Sequence, residues 1–116
     1  MSYRKTYNLR ITKKDTKSYA LTFEDVEGVA IDITGWTLYF TVKANLSDSD
    51  EDAIISKDVT LHTDPTNGKT KVTVTSDDTD HEPGNYYYDF QFKKLDNSVT
   101  TFLKGHYIIK HEVTLR

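Results

Sequence analysis

The sequence contains no cysteine, and this absence removes two common ways of stabilising a small protein. Without thiols the chain has neither a disulfide framework nor a zinc site built on thiolates. An excess of charge of one sign is missing as well, because 15 basic and 18 acidic residues are mixed along the 116 residues, for a net charge of −3. Such a balance gives no electrostatic reason to bind nucleic acid or an anionic membrane surface. We therefore expect neither partner.

Long hydrophobic runs are also absent, so no segment is apolar for long enough to span a bilayer. The first ten residues are polar and lack the apolar region of a secretion signal, which predicts a protein that does not leave the cell by the general pathway. The length fits one domain, residues 1–116, with one modest hydrophobic core.

Strand-forming residues dominate what is present. Thr, Val, Ile, Tyr and Phe are frequent, and such β-branched and aromatic side chains fit a pleated sheet better than a helix. Apolar and polar residues alternate in many segments, most clearly from Trp36 to Lys43, and no segment keeps a helical period. The alternation predicts seven or eight strands, at residues 7–12, 19–24, 29–34, 36–43, 53–61, 69–75, 86–93 and 99–115, the last one broken or bent at Gly105.

Short strands separated by turn signals are typical of a β-sandwich. We predict an all-β fold: an immunoglobulin-like antiparallel β-sandwich of seven or eight strands. Trp36 starts a central strand, where antibody-like domains pack a Trp on the disulfide between the sheets, and Phe23 and Tyr88 are expected at the cysteine positions. Gly84-Asn85-Tyr86 has the spacing of a tyrosine corner, in which the Tyr86 hydroxyl bonds to backbone in the preceding loop. The alternative is that Tyr86 is simply an inward-facing strand residue.

Three segments together resemble a known family: Ile31-Asp32-Ile33-Thr34-Gly35-Trp36, Pro83-Gly84-Asn85-Tyr86-Tyr87-Tyr88-Asp89-Phe90 and Leu103-Lys104-Gly105. Over residues 7–115 the chain is similar to small immunoglobulin-like proteins of tailed bacteriophages, and in particular to the N-terminal domain of the phage baseplate upper protein.

The resemblance implies a non-enzymatic structural protein of the virion, in the tail or baseplate, which is assembled in the host cytoplasm. Its partners would be other phage structural proteins or further copies of itself. Members of the family usually continue into a C-terminal extension that trimerises and holds receptor-binding proteins, whereas this sequence ends at Arg116. A general virion or assembly role is therefore expected rather than the presentation of receptor-binding proteins.

No catalytic or metal-binding signature stands out. The sequence has no Gly-x-Ser-x-Gly elbow and no phosphate loop, so we expect neither enzyme activity nor a cofactor. Its four histidines form no ligand pair, and by alternation His111 falls on the apolar face of the last strand. Carboxylates crowd a first acidic loop at residues 47–52 and a second acidic loop at 76–82. Neither loop has the spaced calcium pattern with its central glycine, which leaves solvated carboxylates or a calcium site as the alternatives.

Outward-facing tyrosines are the remaining functional signal. Tyr39 and Tyr87 fall on the strand faces opposite Trp36 and Tyr86, and Tyr7 lies near the N-terminus. Tyrosine is enriched at protein interfaces, so these three residues are the candidate protein-interaction positions. Packing against neighbouring strands is one alternative. The other is a carbohydrate-binding or adhesion module in which Tyr39 and Tyr87 form one platform for sugar rings.

Overall fold

A computed structural model describes residues 5–115 and confirms an all-β protein. The described range contains eight strands: β1 (Lys5–Thr6), β2 (Leu9–Thr12), β3 (Lys17–Thr22), β4 (Thr37–Lys43), β5 (Ile55–Val59), β6 (Lys69–Val74), β7 (Gly84–Lys93) and β8 (Val99–Lys110). Two 3-10 turns, Asp50–Asp52 and Pro65–Asn67, lie between them. Over the same range, no helix is long and apolar enough to cross a membrane.

The strands form one large mixed sheet and one small sheet. The large sheet has the order β1-β8-β7-β4-β5, with β2 also paired to β8, and the small sheet consists of β3 and β6. The prediction of a purely antiparallel sandwich is wrong at one edge, because β1 and β2 run parallel to β8. A hairpin forces antiparallel pairing on strands that are close in sequence. The first two strands and β8 are separated by most of the chain, so no turn dictates their relative direction.

The core lies between the two sheets and is filled by aromatic rings. The predicted inward face of β4 is confirmed, since Leu38, Phe40 and Val42 are all buried. Phe40 stacks on Phe90 of β7 with ring centroids 4.6 Å apart. The small sheet contributes the buried Val72 and Val74 and the half-buried Tyr19 and Leu21, which pack against the same cluster.

Phe23 and Tyr88 do not replace the disulfide of antibody-like domains as a contacting pair. Phe23 packs edge-on against Trp36 at 5.9 Å and belongs to a cluster at one end of the core. Tyr88 packs against Phe40 and Tyr107 at 6.1 Å and 6.2 Å, further along the sandwich. The expectation that these two residues stand at paired cysteine positions is wrong, because Phe23 follows the last residue of β3 and therefore lies at the end of the small sheet.

The predicted strand at residues 29–34 is absent. This segment makes one isolated bridge, between Glu24 and Ala30, and then turns. The Asp32 carboxylate accepts hydrogen bonds from the Thr34 amide at 2.9 Å and the Thr34 hydroxyl at 2.6 Å. Asp side chains commonly build such local turns and thereby compete with strand pairing. Ile33 is nevertheless buried. The apolar residue at this position therefore indicated burial, but the segment is not a strand.

The predicted first strand, residues 7–12, is interrupted at Tyr7 and Asn8. The Tyr7 carbonyl accepts a hydrogen bond from the Tyr88 hydroxyl at 2.5 Å, and the Asn8 side chain accepts one from the His106 amide at 3.0 Å. The chain approaches β8 so closely here that a Cβ on Gly105 would collide with the Tyr7 carbonyl oxygen. β8 runs through Gly105 without a break, and the glycine makes room for the neighbouring chain.

The last predicted segment, residues 99–115, is also too long. β8 ends at Lys110, and the alternation does not continue beyond it. Val113 and Leu115, which a continued alternation would place on the same side as Tyr107 and Ile109, are 98% and 79% exposed. His111 is likewise exposed rather than on an apolar face, and its neighbour Glu112 is buried instead.

A β-bulge in β8 adds an aromatic residue to the core. The pairing of β7 with β8 shifts by one residue after Phe90, which pairs with Leu103, whereas Gln91 pairs with Thr101. The extra residue is Phe102, and both Phe102 and Leu103 pack against the core although they are consecutive.

Gly68 and Gly28 offer a matched test of backbone packing. Both have positive φ, at 72° and 82°, but a Cβ on Gly68 would collide with the Phe23 carbonyl oxygen, whereas a Cβ on Gly28 meets nothing within 4 Å. We expect Gly28→Ala to lower the free energy of unfolding by about 1–2 kcal/mol, for the left-handed conformation alone. We expect Gly68→Ala to lower it by about 2–5 kcal/mol, because the clash is added. Urea unfolding measures the free energy of unfolding of both variants. An equal decrease in the two would contradict the close packing at Gly68.

Candidate functional site

The outer face of the large sheet forms a concave groove of about 620 Å³. Its floor comes from the outward-facing residues of β4 and β7, among them Tyr39, Thr41, Tyr87 and Asp89. Leu46, in the loop after β4, and Val99, at the start of β8, also line it and expose apolar side chains. The groove therefore combines aromatic, apolar and charged groups on the outer face of the large sheet.

Strand register orders the groove floor in three rows. Tyr39 pairs with Gln91, Thr41 with Asp89, and Lys43 with Tyr87. Asp89 therefore lies in the middle row, and the two tyrosines lie in the rows on either side of it. Rows that are two residues apart along a strand are separated by about 7 Å.

The structure thus brings two of the three predicted interaction residues together. Tyr39 and Tyr87 are both half-buried and line one groove, and Tyr87 also packs against the His106 ring at 5.1 Å. Tyr7 is 59% exposed but does not line the groove. A role for any of the three in binding a partner stays a prediction.

The charges of the groove are only partly balanced. Lys43 pairs with Asp50 at 2.8 Å, which neutralises both groups. Asp89 accepts a hydrogen bond from the Gln91 amide at 3.2 Å, and no ion pair involves Asp89 or Asp58 in the described part of the chain. Burial raises the pKa of Asp89, although the Gln91 hydrogen bond and the nearby lysines act in the opposite direction. Asp89 is therefore a half-buried carboxylate that makes no ion pair with a described residue, although Lys43 and Lys104 lie near it.

Sequence reasoning missed Asp89 and Gln91 as candidate site residues. The alternation of β7 did place them outward, but only the sheet order shows that β7 is flanked by strands on both sides. An outward carboxylate on such a central strand is shielded by its neighbours, whereas the same residue on an edge strand would be solvated.

In each of the two acidic loops, a carboxylate forms an ion pair with a lysine of a nearby strand. In the first, Asp50 pairs with Lys43. In the second, Asp78 accepts a hydrogen bond from the Thr75 amide and contacts Lys57, both at 2.7 Å. Burial alone would raise the pKa of Asp78, but these partners outweigh it and lower the pKa. Within residues 5–115, no three histidine or carboxylate side chains converge where they could hold a metal ion.

The predicted tyrosine corner is present. The Tyr86 hydroxyl donates a hydrogen bond to the carbonyl oxygen of Glu82, at 2.6 Å, in the loop that precedes β7. This bond ties the start of β7 to the second acidic loop. The ring of Tyr86 also packs against the core, so the inward-facing alternative describes the same residue correctly.

Removing this hydroxyl tests the corner. We expect Tyr86→Phe to lower the free energy of unfolding by about 1 kcal/mol, because the Glu82 carbonyl loses its partner while the ring still packs. Tyr87→Phe, on the outer face, is the matched control and should change the stability by less than about 0.5 kcal/mol. Denaturant melts of the three proteins measure the difference, and equal stabilities would contradict a structural role for the corner.

The pKa of Asp89 predicts a pH-dependent stability. A carboxyl group whose folded pKa is raised stabilises the fold fully below its unfolded pKa, and this contribution is lost as the pH rises through the folded pKa. At neutral pH the ionised Asp89 therefore weakens the fold, since burial disfavours its charge. At pH 7 we expect Asp89→Asn to melt at a higher temperature than the unchanged protein. The difference in melting temperature should disappear at about pH 3, where the Asp89 carboxyl is protonated. The exposed Asp77→Asn is the control, and a gap that does not depend on pH would refute the assignment.

Comparison with known proteins identifies the family. No curated protein sequence matches this chain. A family model does match, the one described as the BppU N-terminal domain, over residues 2–112. The match covers nearly all of the chain and agrees with the resemblance seen in residues 31–36, 83–90 and 103–105. The chain belongs to the BppU N-terminal domain family, the N-terminal domain of phage baseplate upper proteins.

Proposed function

We propose that this protein is a non-enzymatic structural component of a bacteriophage virion, in the tail or baseplate, which acts through contacts with other phage structural proteins. The observation that carries the proposal is the match to a baseplate-associated family over residues 2–112. Neither the family nor the fold supports the alternative of a carbohydrate-binding or adhesion module. We also propose that copies of this chain contact one another, as a second kind of protein–protein contact.

Two finer statements about the fold belong to the same proposal. We propose that residues 1–116 form one domain, since a single hydrophobic cluster takes residues from both sheets. We also propose that the sandwich is immunoglobulin-like. The Trp36 residue before β4 and the tyrosine corner at the start of β7 support this classification, although the first strands pair in parallel with β8.

A non-enzymatic role agrees with the groove chemistry. General acid–base catalysis needs titratable groups placed around one reacting centre. In this groove Lys43 and Asp50 neutralise each other, and none of the described histidines lines it. The interior of the sandwich is occupied by packed side chains, whereas the groove on the sheet face is open.

We propose the groove as a contact surface. Tyr39 and Tyr87 supply aromatic area, while Leu46 and Val99 supply exposed apolar side chains. Large rings of this kind dominate the binding energy of protein interfaces when a partner covers them. Tyr7, exposed outside the groove, is proposed as a second and separate contact position.

Particle composition tests the proposal. We expect mass spectrometry of purified virions to detect peptides from this chain in constant ratio to the major structural proteins. In phage that carry the double substitution Tyr39→Ala and Tyr87→Ala, we expect incorporation to fall roughly tenfold or more, because truncating central interface aromatics costs about 2 kcal/mol or more. Lys71→Ala, on the exposed face of β6, is the control and should incorporate normally. Absence of the unchanged chain from purified particles would overturn the virion role.

A further inference from the structure

We propose that the groove binds an arginine side chain of a partner protein, with its guanidinium group on the Asp89 carboxylate and between the rings of Tyr39 and Tyr87. The inference rests on the proposed function and deepens it, because it states which chemistry the partner must present. Three features of the groove carry it: a half-buried carboxylate without an ion pair among the described residues, two flanking tyrosines and a hydrogen bond from Gln91 to one carboxylate oxygen.

The charge balance favours a cation from outside. Five charged residues line the groove: Lys43, Asp50, Asp58, Asp89 and Lys104. The Lys43–Asp50 pair is neutral, which leaves two carboxylates against one lysine. A half-buried carboxylate gains most from a cation that also excludes water, since electrostatic attraction strengthens as solvent is removed.

The two tyrosines lie in the rows on either side of the carboxylate that a flat cation would bind. Register puts Tyr39 one row to one side of Asp89 and Tyr87 one row to the other. A guanidinium group on the carboxylate would therefore be flanked by the two tyrosines, and cations gain from contact with aromatic rings as well as from the opposite charge. Neither tyrosine has a cation over its ring at present among the described residues.

The orientation of the Asp89 carboxylate is held by Gln91. The Gln91 amide donates to Oδ2 of Asp89 at 3.2 Å, and Asp89 lines the groove, so the carboxylate keeps further acceptor capacity for a ligand there. A guanidinium group presents two parallel N–H donors that match such a carboxylate, whereas an ammonium group is a single point charge that is strongly hydrated. This difference favours arginine over lysine in the partner.

Lys104 is the internal competitor. It pairs in register with Asp89 across β7 and β8, but it is exposed and makes no ion pair with it. An ion pair formed by so exposed a lysine would add little to the free energy of folding. We therefore expect Lys104→Gln to strengthen arginine binding, because the substitution removes a like charge from the groove while Asp89 stays in place.

A titration with small probes tests the inference directly. The probes are a blocked Gly-Arg-Gly peptide and its citrulline counterpart, which keeps the shape of arginine but lacks the charge. We expect the arginine peptide to shift the amide resonances of residues 39–43 and 87–91 in heteronuclear NMR spectra, with a dissociation constant on the order of 1–10 mM for so few contacts. The citrulline peptide should leave these resonances in place.

Substitution of single carboxylates shows which residue binds the arginine peptide. We expect Asp89→Asn to weaken arginine binding roughly tenfold or more, as removal of one partner of a charged pair does. The exposed Asp77→Asn in the second acidic loop should bind as the unchanged protein does. Binding should also weaken as the pH falls through the raised pKa of Asp89, because the protonated carboxyl no longer attracts a cation.

Several results would overturn the inference. These are equal shifts with citrulline, unaltered binding by Asp89→Asn, or no shift at about 50 mM arginine peptide, a concentration well above the expected dissociation constant. Shifts produced instead by a neutral methyl glycoside would indicate a sugar site in the groove. The virion role fails separately, since a chain that is absent from particles could still bind the arginine peptide.

Discussion

Aromatic packing between the two sheets is the interaction on which the rest of the structure depends. With no cysteine available, ring contacts join the sheets in place of a disulfide. Phe40 and Phe90 stack across the central strand pair, and the Tyr19 hydroxyl from the small sheet meets the Tyr107 hydroxyl from β8 at 2.9 Å. Burial raises the pKa of Tyr19 and of Tyr107, which disfavours ionisation of either hydroxyl in this hydrogen-bonded pair. The core thus combines apolar burial with one satisfied polar link.

The same strands that build the core also display the groove. On β7, Tyr88 and Phe90 face inward, while Tyr87 and Asp89 face outward. Because the side chains of a strand alternate, a register slip of one residue would exchange the two sets and bury Asp89 in the core. The aromatic core therefore enforces the register that places Asp89 between Tyr39 and Tyr87. Stability and the proposed binding chemistry are coupled through strand alternation, although they use different residues.

Between β1 and β2, at the parallel edge of the large sheet, side-chain hydrogen bonds replace part of the normal strand pairing. At Tyr7 the chain leaves the ladder, and its carbonyl is satisfied by the Tyr88 hydroxyl instead of a backbone amide. The absence of a side chain on Gly105 permits this approach. The interruption anchors the first strands of the described chain to the core through Tyr88 and leaves the Tyr7 side chain exposed.

Local alternation and turn chemistry determined much of this protein in advance: the all-β class, the inward face of β4, the outward position of Tyr39 and Tyr87, and the tyrosine corner. These features depend on neighbours within a few residues, which a sequence displays directly. The parallel direction of β1 and β2, the end of β8 at Lys110 and the half-buried state of Asp89 were decided only by the tertiary structure. Each depends on contacts between segments far apart in the chain, where alternation carries no information about which strands become neighbours or how much solvent they exclude.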